Sequence, residues 1–245
     1  MPYLSVVVPA YNEEDRLAPT LARLHEYYSG QDYSYDVTVV SDGSKDGTGK
    51  IVEDFARLHP EFRLLEYRPN RGKGHAVRVG VLGSTGELIL FCDADLATPQ
   101  EETEKLLDHM RQGAAVAIGS RPLQESSLEV RQPLYREMLG RLFNKLVQII
   151  GIKGIDDTQC GFKMFRREVA YDIFRRCKVE GFGFDFEALM IAKDLGYRID
   201  EVPIRWRHQE GSKVSLVRDG TRMLLDLMKL RLKGKKRRLE LNEVK

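Results

Sequence analysis

Two carboxylates, Asp93 and Asp95, stand one residue apart at the end of the apolar run in "LILFCDADLATPQ" (88–100). Like charges so close repel and raise each other's pKa, so a buried strand that ends in them needs something to offset the cost. Because side chains alternate along a strand, residues at i and i+2 point the same way, and both carboxylates can converge on one point past the sheet edge. A divalent cation there would balance them. Mg²⁺ typically takes one or two carboxylates and completes its shell with phosphate oxygens and water. The plainer alternative is a turn with two solvated acids, a common use of Asp.

Other polar residues could share that site. In "SDGSKDGT" (41–48) a turn and a capped helix account for Ser44, Asp46 or Thr48, but leave Asp42 free to take hydroxyl or base N–H donors from a nucleoside. "NRGKGHAVRVG" (70–80) sets Arg71 and Lys73 among glycines at the mouth of a helix, where exposed amides attract phosphate; it lacks the P-loop order. "DDT" (156–158) and "FDFE" (184–187) are weak taken singly, since such acids commonly start helices. The five histidines show no metal-ligand spacing and read as surface or packing residues.

These residues must be positioned by something, and the first half of the chain supplies it. β-rich runs at 4–10, 35–42, 62–67, 87–95 and 114–120 alternate with helical patterns near 13–28, 46–58, 74–84 and 100–111. Such alternation predicts βαβ units in a mostly parallel sheet covered on both faces, with ligands at the carboxyl ends of the strands. Tyr11 and Glu13, Asp42, the 70–74 loop, Asp93 and Asp95, and Arg121 fall at those ends. After Arg121 the alternation stops. A helix is expected over 134–150, another near 167–177, a strand-like segment at 197–207, and a last helix from about Ser215.

Composition narrows the class. A net charge of +2 in 245 residues argues against a general nucleic-acid binder. Lys229–Lys245 carries eight Lys/Arg and two Glu, which leaves a mildly acidic body and a basic tail. Three cysteines without C-x-x-C spacing suggest a reduced, cytosolic chain with neither disulfide framework nor zinc site. No signal-peptide pattern precedes the first strand, and no apolar run approaches the roughly 18 residues of a membrane span. The tail places Leu216, Met223, Leu227 and Leu230 on one stripe beside seven basic residues between Lys229 and Arg238. It reads equally as an interfacial helix or as a docked helix with a solvated end.

Taken together, "VVVPAYNEE", "VVSDGSKDGT", "NRGKGHAVRVG", "LFCDADLATP", "AIGSR", "DTQCGFKMF", "FGFDFE", "EVPIRW" and "GSKVS" span residues 6–215. This set resembles the family 2 inverting glycosyltransferases of GT-A fold, and more narrowly the dolichyl-phosphate β-glucosyltransferase type, which is close to the polyprenyl-phosphate mannose synthases. Where those synthases often carry a further ligand two residues past the acid pair, this chain has Ala97.

The resemblance implies the following roles. Pro9, Tyr11, Glu13, Asp42, Lys73, Asp93, Ala94 and Asp95 bind the nucleotide-sugar donor, UDP-glucose or GDP-mannose. Asp93 and Asp95 face Mg²⁺ or Mn²⁺. Arg121, Arg131, Arg136, Arg207, Ser212 and Lys213 meet the acceptor phosphate and the diphosphate, and Asp95, Asp157, Asp185 and Arg121 surround the reacting centre. The acceptor is a polyprenyl or dolichyl phosphate. Residues 1–215 form the transferase domain, with a donor half (1–121) and an acceptor half (122–215), and 216–245 form a basic amphipathic helix and tail. The enzyme would be peripheral on the cytoplasmic face of a membrane, where it could meet a membrane-anchored partner protein. The reaction implied is transfer of a hexose, glucose from UDP-glucose, with inversion onto the acceptor phosphate. The alternatives are a polyprenyl-phosphate mannose synthase using GDP-mannose and a family 2 transferase with a soluble or polysaccharide acceptor; the missing "QxxRW" of processive synthases and the basic tail speak against the latter. A non-catalytic nucleotide-sugar binder is disfavoured by the intact acid pair.

Overall fold

Strand and helix alternate through the first half of the chain in the computed structural model, which describes residues 1–123, 126–130, 152, 154–207 and 216–242. The order is β1 (Leu4–Ala10), α1 (Glu14–Ser29), β2 (Tyr35–Asp42), α2 (Thr48–Ala56), β3 (Phe62–Tyr67), α3 (Lys73–Gly83), β4 (Leu88–Cys92), a 3₁₀ turn (Gln100–Glu102), α4 (Thr103–Arg111) and β5 (Val116–Ser120). There follow β6 (Ser127–Val130), β7 (Phe162–Arg166), α5 (Arg167–Arg176), α6 (Phe184–Asp194), β8 (Ile199–Pro203), β9 (Arg205–Arg207) and α7 (Leu216–Asn242).

Seven strands form one sheet in the order β3-β2-β1-β4-β7-β5-β8, and β6 pairs with β9 in a second, two-stranded sheet. All neighbours in the large sheet are parallel except β7, which runs antiparallel between β4 and β5. Successive side chains of a strand enter opposite faces. Val6 and Val8 join the cluster that holds Leu17 and Leu21 of α1, Val52 of α2 and Leu106 of α4. Val7, Ile89 and Phe91 join the other, with Val77 of α3, Phe174 of α5, Phe186 of α6 and Leu227 of α7. Coverage on both faces explains why the central strands read as nearly unbroken β-branched and apolar runs.

Several expected boundaries move. β4 ends at Cys92, so Asp93 and Asp95 lie in the turn beyond it and strand alternation does not orient them. The turn itself does, with Leu96 at φ 49° and the Leu96 amide donating to the Asp93 carbonyl at 3.1 Å. The segment 197–207 is two strands in two sheets, broken at Ile204. "DTQCGFKMF" contributes β7, a central strand that sequence alternation does not mark, because it enters after the βαβ pattern has stopped. The expected helix over 134–150 lies outside the described residues.

The last helix is longer than its sequence pattern suggests, and it is docked. Met223, Leu227 and Leu230 are buried in the second core cluster. Leu225, Met228 and Leu232 are exposed on the other side. Truncating Leu227 to Ala is therefore expected to cost about 2–5 kcal/mol, whereas Leu225→Ala stays within about 0.5 kcal/mol. Urea unfolding of the two variants measures the difference.

Candidate active site at the carboxyl ends of the strands

The loops after β1 and β2 are stitched to each other before either meets a ligand. The Asn12 amide donates to Ser44 Oγ at 3.1 Å, the Glu13 amide to Thr48 Oγ1 at 2.8 Å, and the Gly47 amide to Glu14 Oε2 at 2.7 Å. Asp46 accepts from the Thr48 amide and hydroxyl, so this segment does serve as a turn and helix start.

Asp42 has a different job from the expected free acceptor. Its carboxylate accepts from Tyr67 Oη (2.8 Å), Asn70 Nδ2 (2.8 Å) and the amides of Arg71 (2.7 Å) and Gly72 (2.8 Å). The amides that the sequence offered to a phosphate thus hold an internal carboxylate, and the His75 amide donates to the Glu180 carbonyl. Gly43 (φ 68°) permits the approach: a Cβ there would lie 2.4 Å from the Asn70 nitrogen.

A cavity of about 1440 Å³ opens over these loops. Pro9, Tyr11, Glu13, Asp42, Lys73, Asp93, Ala94 and Asp95 all line it. Lys73, the first residue of α3, reaches across to Asp93, Nζ to Oδ1 2.6 Å. Burial works against the Lys73 ammonium, but Asp93, Asp185 and Asp95 around it outweigh burial and raise its pKa. Burial, and then the Asp93 charge, raises the pKa of Asp95. The sign of that shift matters. Over the window just above the ordinary carboxylate value the folded state holds the extra proton, so the Asp95 contribution to stability falls as pH rises. A cation bound to the ionised pair would relieve that cost, and an all-carboxylate donor set suits Mg²⁺ or Mn²⁺. The residues present fit such an ion.

Behind this wall stand two further ion pairs. Asp157, fully buried, accepts from Arg121 Nε at 2.6 Å and Nη2 at 2.9 Å, and from the Arg121 amide at 3.1 Å. Burial pushes its pKa up, yet the Arg121 guanidinium more than offsets this and holds the carboxyl below its ordinary value. Asp185, in the first turn of α6, pairs with the fully buried Lys163 of β7 at 2.5 Å. Burial raises the Asp185 pKa, and Lys163 and then Lys73 only partly reverse the shift. Arg121 packs over the Trp206 ring at 5.6 Å. The Arg207 amide donates to the Ala97 carbonyl at 2.8 Å, which ties β9 to the acid turn, while its side chain is exposed. Arg121, Asp157, Asp185 and Arg207 do not line the cavity. Arg131, Arg136, Ser212 and Lys213 lie outside the described residues.

Sequence reasoning missed Lys163 and Gly161. The signal for both was their place in "DTQCGFK", beside the acid pair once β7 is recognised as the neighbour of β4. Cys92, Cys160 and Cys177 are free and buried, and burial pushes the Cys160 thiol up to about 12.

Comparison with known proteins agrees with this geometry. The model of glycosyl transferase family 2 matches residues 5–174. The chain belongs to that family. Among its relatives are dolichyl-phosphate beta-glucosyltransferases of Trichomonas vaginalis, Homo sapiens and Saccharomyces cerevisiae, at 39%, 38% and 37% identity. The alignments cover 93%, 94% and 94% of this chain and 70%, 75% and 74% of those proteins. Glucosyl-3-phosphoglycerate synthase from Mycobacterium tuberculosis, solved with Mn²⁺, UDP and glucosyl-3-phosphoglycerate, superimposes with a TM-score of 0.70 at 19% identity, over 94% of this chain and 80% of that one. The same enzyme solved with Mg²⁺ and UDP gives 0.69 at 18%, over 94% and 79%. At that identity the likeness speaks to the fold, the GT-A type that the motifs imply.

Gly161 provides a clean test of the acid turn. A Cβ at this position would lie 2.1 Å from Asp93 Oδ2, and the backbones are tied by the Asp93 amide donating to the Gly161 carbonyl at 3.2 Å. Only a side-chain carboxylate has to move, so Gly161→Ala is expected to stay within about 1 kcal/mol of wild-type stability. It should still lose about 10²-fold in transfer activity through misplacement of Asp93. Thermal unfolding and steady-state kinetics on one preparation read both quantities.

Proposed function

We propose that the protein transfers glucose from UDP-glucose, with inversion, onto the phosphate of a polyprenyl or dolichyl phosphate at the cytoplasmic face of a membrane. The observation that carries this is the cavity at the strand ends, lined by all eight expected donor residues, in a chain whose relatives are named dolichyl-phosphate beta-glucosyltransferases.

The acceptor phosphate is already ionised near neutral pH, so one of its oxygens can attack the anomeric carbon as the bond to UDP breaks. No strong general base is required. What remains is to bring two anions together and stabilise the leaving diphosphate. Asp93 and Asp95 would hold Mg²⁺ or Mn²⁺, which when bound supplies positive charge to the departing diphosphate. Lys73 fixes Asp93 and adds a cation on the same side of the cavity. Asp157 is committed to Arg121 and serves to aim that guanidinium toward the acceptor phosphate rather than to take a proton. Asp185, held by Lys163, adds to the negative field that keeps Lys73 charged. Residues 1–121 handle the donor, 122–215 the acceptor, and 216–245 the lipid surface.

The membrane reading now rests on a different face of α7. Leu225, Met228 and Leu232 are exposed among exposed Arg222, Lys229 and Arg231, while no helix among the described residues is long and apolar enough to cross a bilayer. An apolar stripe flanked by cations suits the interface of an anionic membrane.

A donor-by-acceptor screen decides the chemistry: UDP-glucose and GDP-mannose, each with polyprenyl phosphate and Mg²⁺ or Mn²⁺. Lipid-linked glucose from UDP-glucose is expected, reduced by about 10²–10³-fold in Asp95→Ala. Transfer from GDP-mannose instead, or to a soluble acceptor alone, refutes the assignment. Flotation with phosphatidylserine-containing vesicles examines the membrane face. The triple variant Leu225→Ser, Met228→Ser, Leu232→Ser should stay at the bottom of the gradient with an unchanged melting midpoint, and flotation equal to wild type would sink the idea.

A further inference from the structure

At the opposite end of the sheet, where β2 and β3 begin, the fold gathers residues that have no part in transfer. His25 comes from α1, and His59 and Glu61 from the connection between α2 and β3. The two imidazole rings lie 4.0 Å apart between centroids. His25 Nδ1 is 2.9 Å from Glu61 Oε1, and His59 Nδ1 is 3.9 Å from the same oxygen. One ligand atom from each residue falls within 4.8 Å of the others.

We infer that His25, His59 and Glu61 form a binding site for a transition-metal cation of the Zn²⁺ class, separate from the donor cavity. The chemistry of the three donors fits. Two imidazoles and one carboxylate are a recognised Zn²⁺ set, with water completing the shell. Zn–ligand bonds of about 2.0–2.1 Å in a tetrahedron separate neighbouring ligand atoms by roughly 3.3 Å, and the observed 2.9 and 3.9 Å bracket that value. Side-chain exposures of 33%, 25% and 23% leave the three residues accessible to a cation and to water.

The surroundings hold the ligands in place. Tyr35 Oη donates to Glu61 Oε1 at 3.1 Å, the kind of outer hydrogen bond that orients a ligating carboxylate. Phe55 lies 4.3 Å from the His59 ring, and Phe62 lies 6.1 Å from the His25 ring. Imidazole donors also separate this site from the acid pair in metal preference, since carboxylate and water sites favour Mg²⁺ and Mn²⁺. A cation here would clip α1 to the α2–β3 turn and so stabilise the half of the sheet that carries the donor loops.

Tag-free full-length protein is titrated with Zn²⁺ by calorimetry and with Co²⁺ by visible absorption. One Zn²⁺ equivalent of micromolar or tighter affinity is expected, with intense imidazole-type Co²⁺ bands. At Zn²⁺ 100-fold over Kd the melting midpoint should rise by roughly 5–10 °C. His25→Gln and His59→Gln should each lose the equivalent, the bands and the shift while keeping Mn²⁺ binding, and Glu61→Gln should weaken Zn²⁺ at least tenfold. Far-UV circular dichroism in chelator verifies that each variant is folded. Absence of Zn²⁺ binding in the wild type, weak all-oxygen Co²⁺ bands, or an equivalent retained in both histidine variants overturns the site.

Discussion

Four carboxylates, Asp93, Asp95, Asp157 and Asp185, crowd one end of the sheet against three cations, Lys73, Arg121 and Lys163. Each cation meets one acid directly, and the fields overlap: Lys73 feels Asp93, Asp185 and Asp95, and Arg121 feels Asp157 and Asp93. Breaking one buried pair by deleting a partner typically costs about 3–5 kcal/mol, because the charge left behind has no water to turn to. That cost applies in full to Lys163–Asp185, 0% and 4% exposed, whereas Lys73 and Asp93, 20% and 35% exposed, keep some water when parted. Of the four acids, Asp95 has no ion pair of its own among the described residues; it lines the cavity, and its pKa, like that of Asp185, is raised. Lys73 and Arg16 act on Asp95 only through space, at the place where the proposed substrate brings its metal.

β7 makes that arrangement possible. A purely parallel sheet would set β5 beside β4 and leave no strand to bring Lys163 behind the acid turn. By entering antiparallel, β7 starts at the carboxyl end of β4, with Phe162 opposite Cys92 and Lys163 opposite Phe91. Gly161 then meets Asp93, and Lys163 passes over the Phe91 ring at 5.2 Å on its way to Asp185. The same strand carries apolar neighbours into both core clusters, Phe162 and Met164 on one face and Phe165 on the other. Packing on both faces holds the ion pairs in register.

How much of this the sequence revealed follows from range. The β1–β4 unit was legible because its period is local: β-branched runs alternate with helices, and polar residues punctuate the strand ends. Asp93 and Asp95 could be located from that alone. Their orientation could not, since it depends on where β4 stops and on a positive φ at Leu96. The use of loop amides to hold Asp42 was equally hidden, because Asp42 and Gly72 are 30 residues apart and only tertiary structure joins them. His25 and His59 illustrate the same limit. Their separation in sequence carries no ligand spacing, yet α1 and the α2–β3 turn bring their rings together.

α7 shows why an amphipathic pattern identifies a helix more readily than its environment. Leucine and methionine occur on two sides of this helix, and either stripe satisfies a helical period. The choice between them is made by the protein surface it lands on. Met223, Leu227 and Leu230 match the apolar hollow formed with α6 and are removed from water. Leu225, Met228 and Leu232 cannot reach it, because residues on opposite sides of a helix cannot pack against one core. A helix apolar on two sides, with one of them already satisfied, has the other available for a second apolar phase. In the proposed membrane reading that phase is an anionic bilayer surface, suited to the exposed Arg222, Lys229 and Arg231, and the long isoprenoid of the proposed acceptor would lie in the same layer.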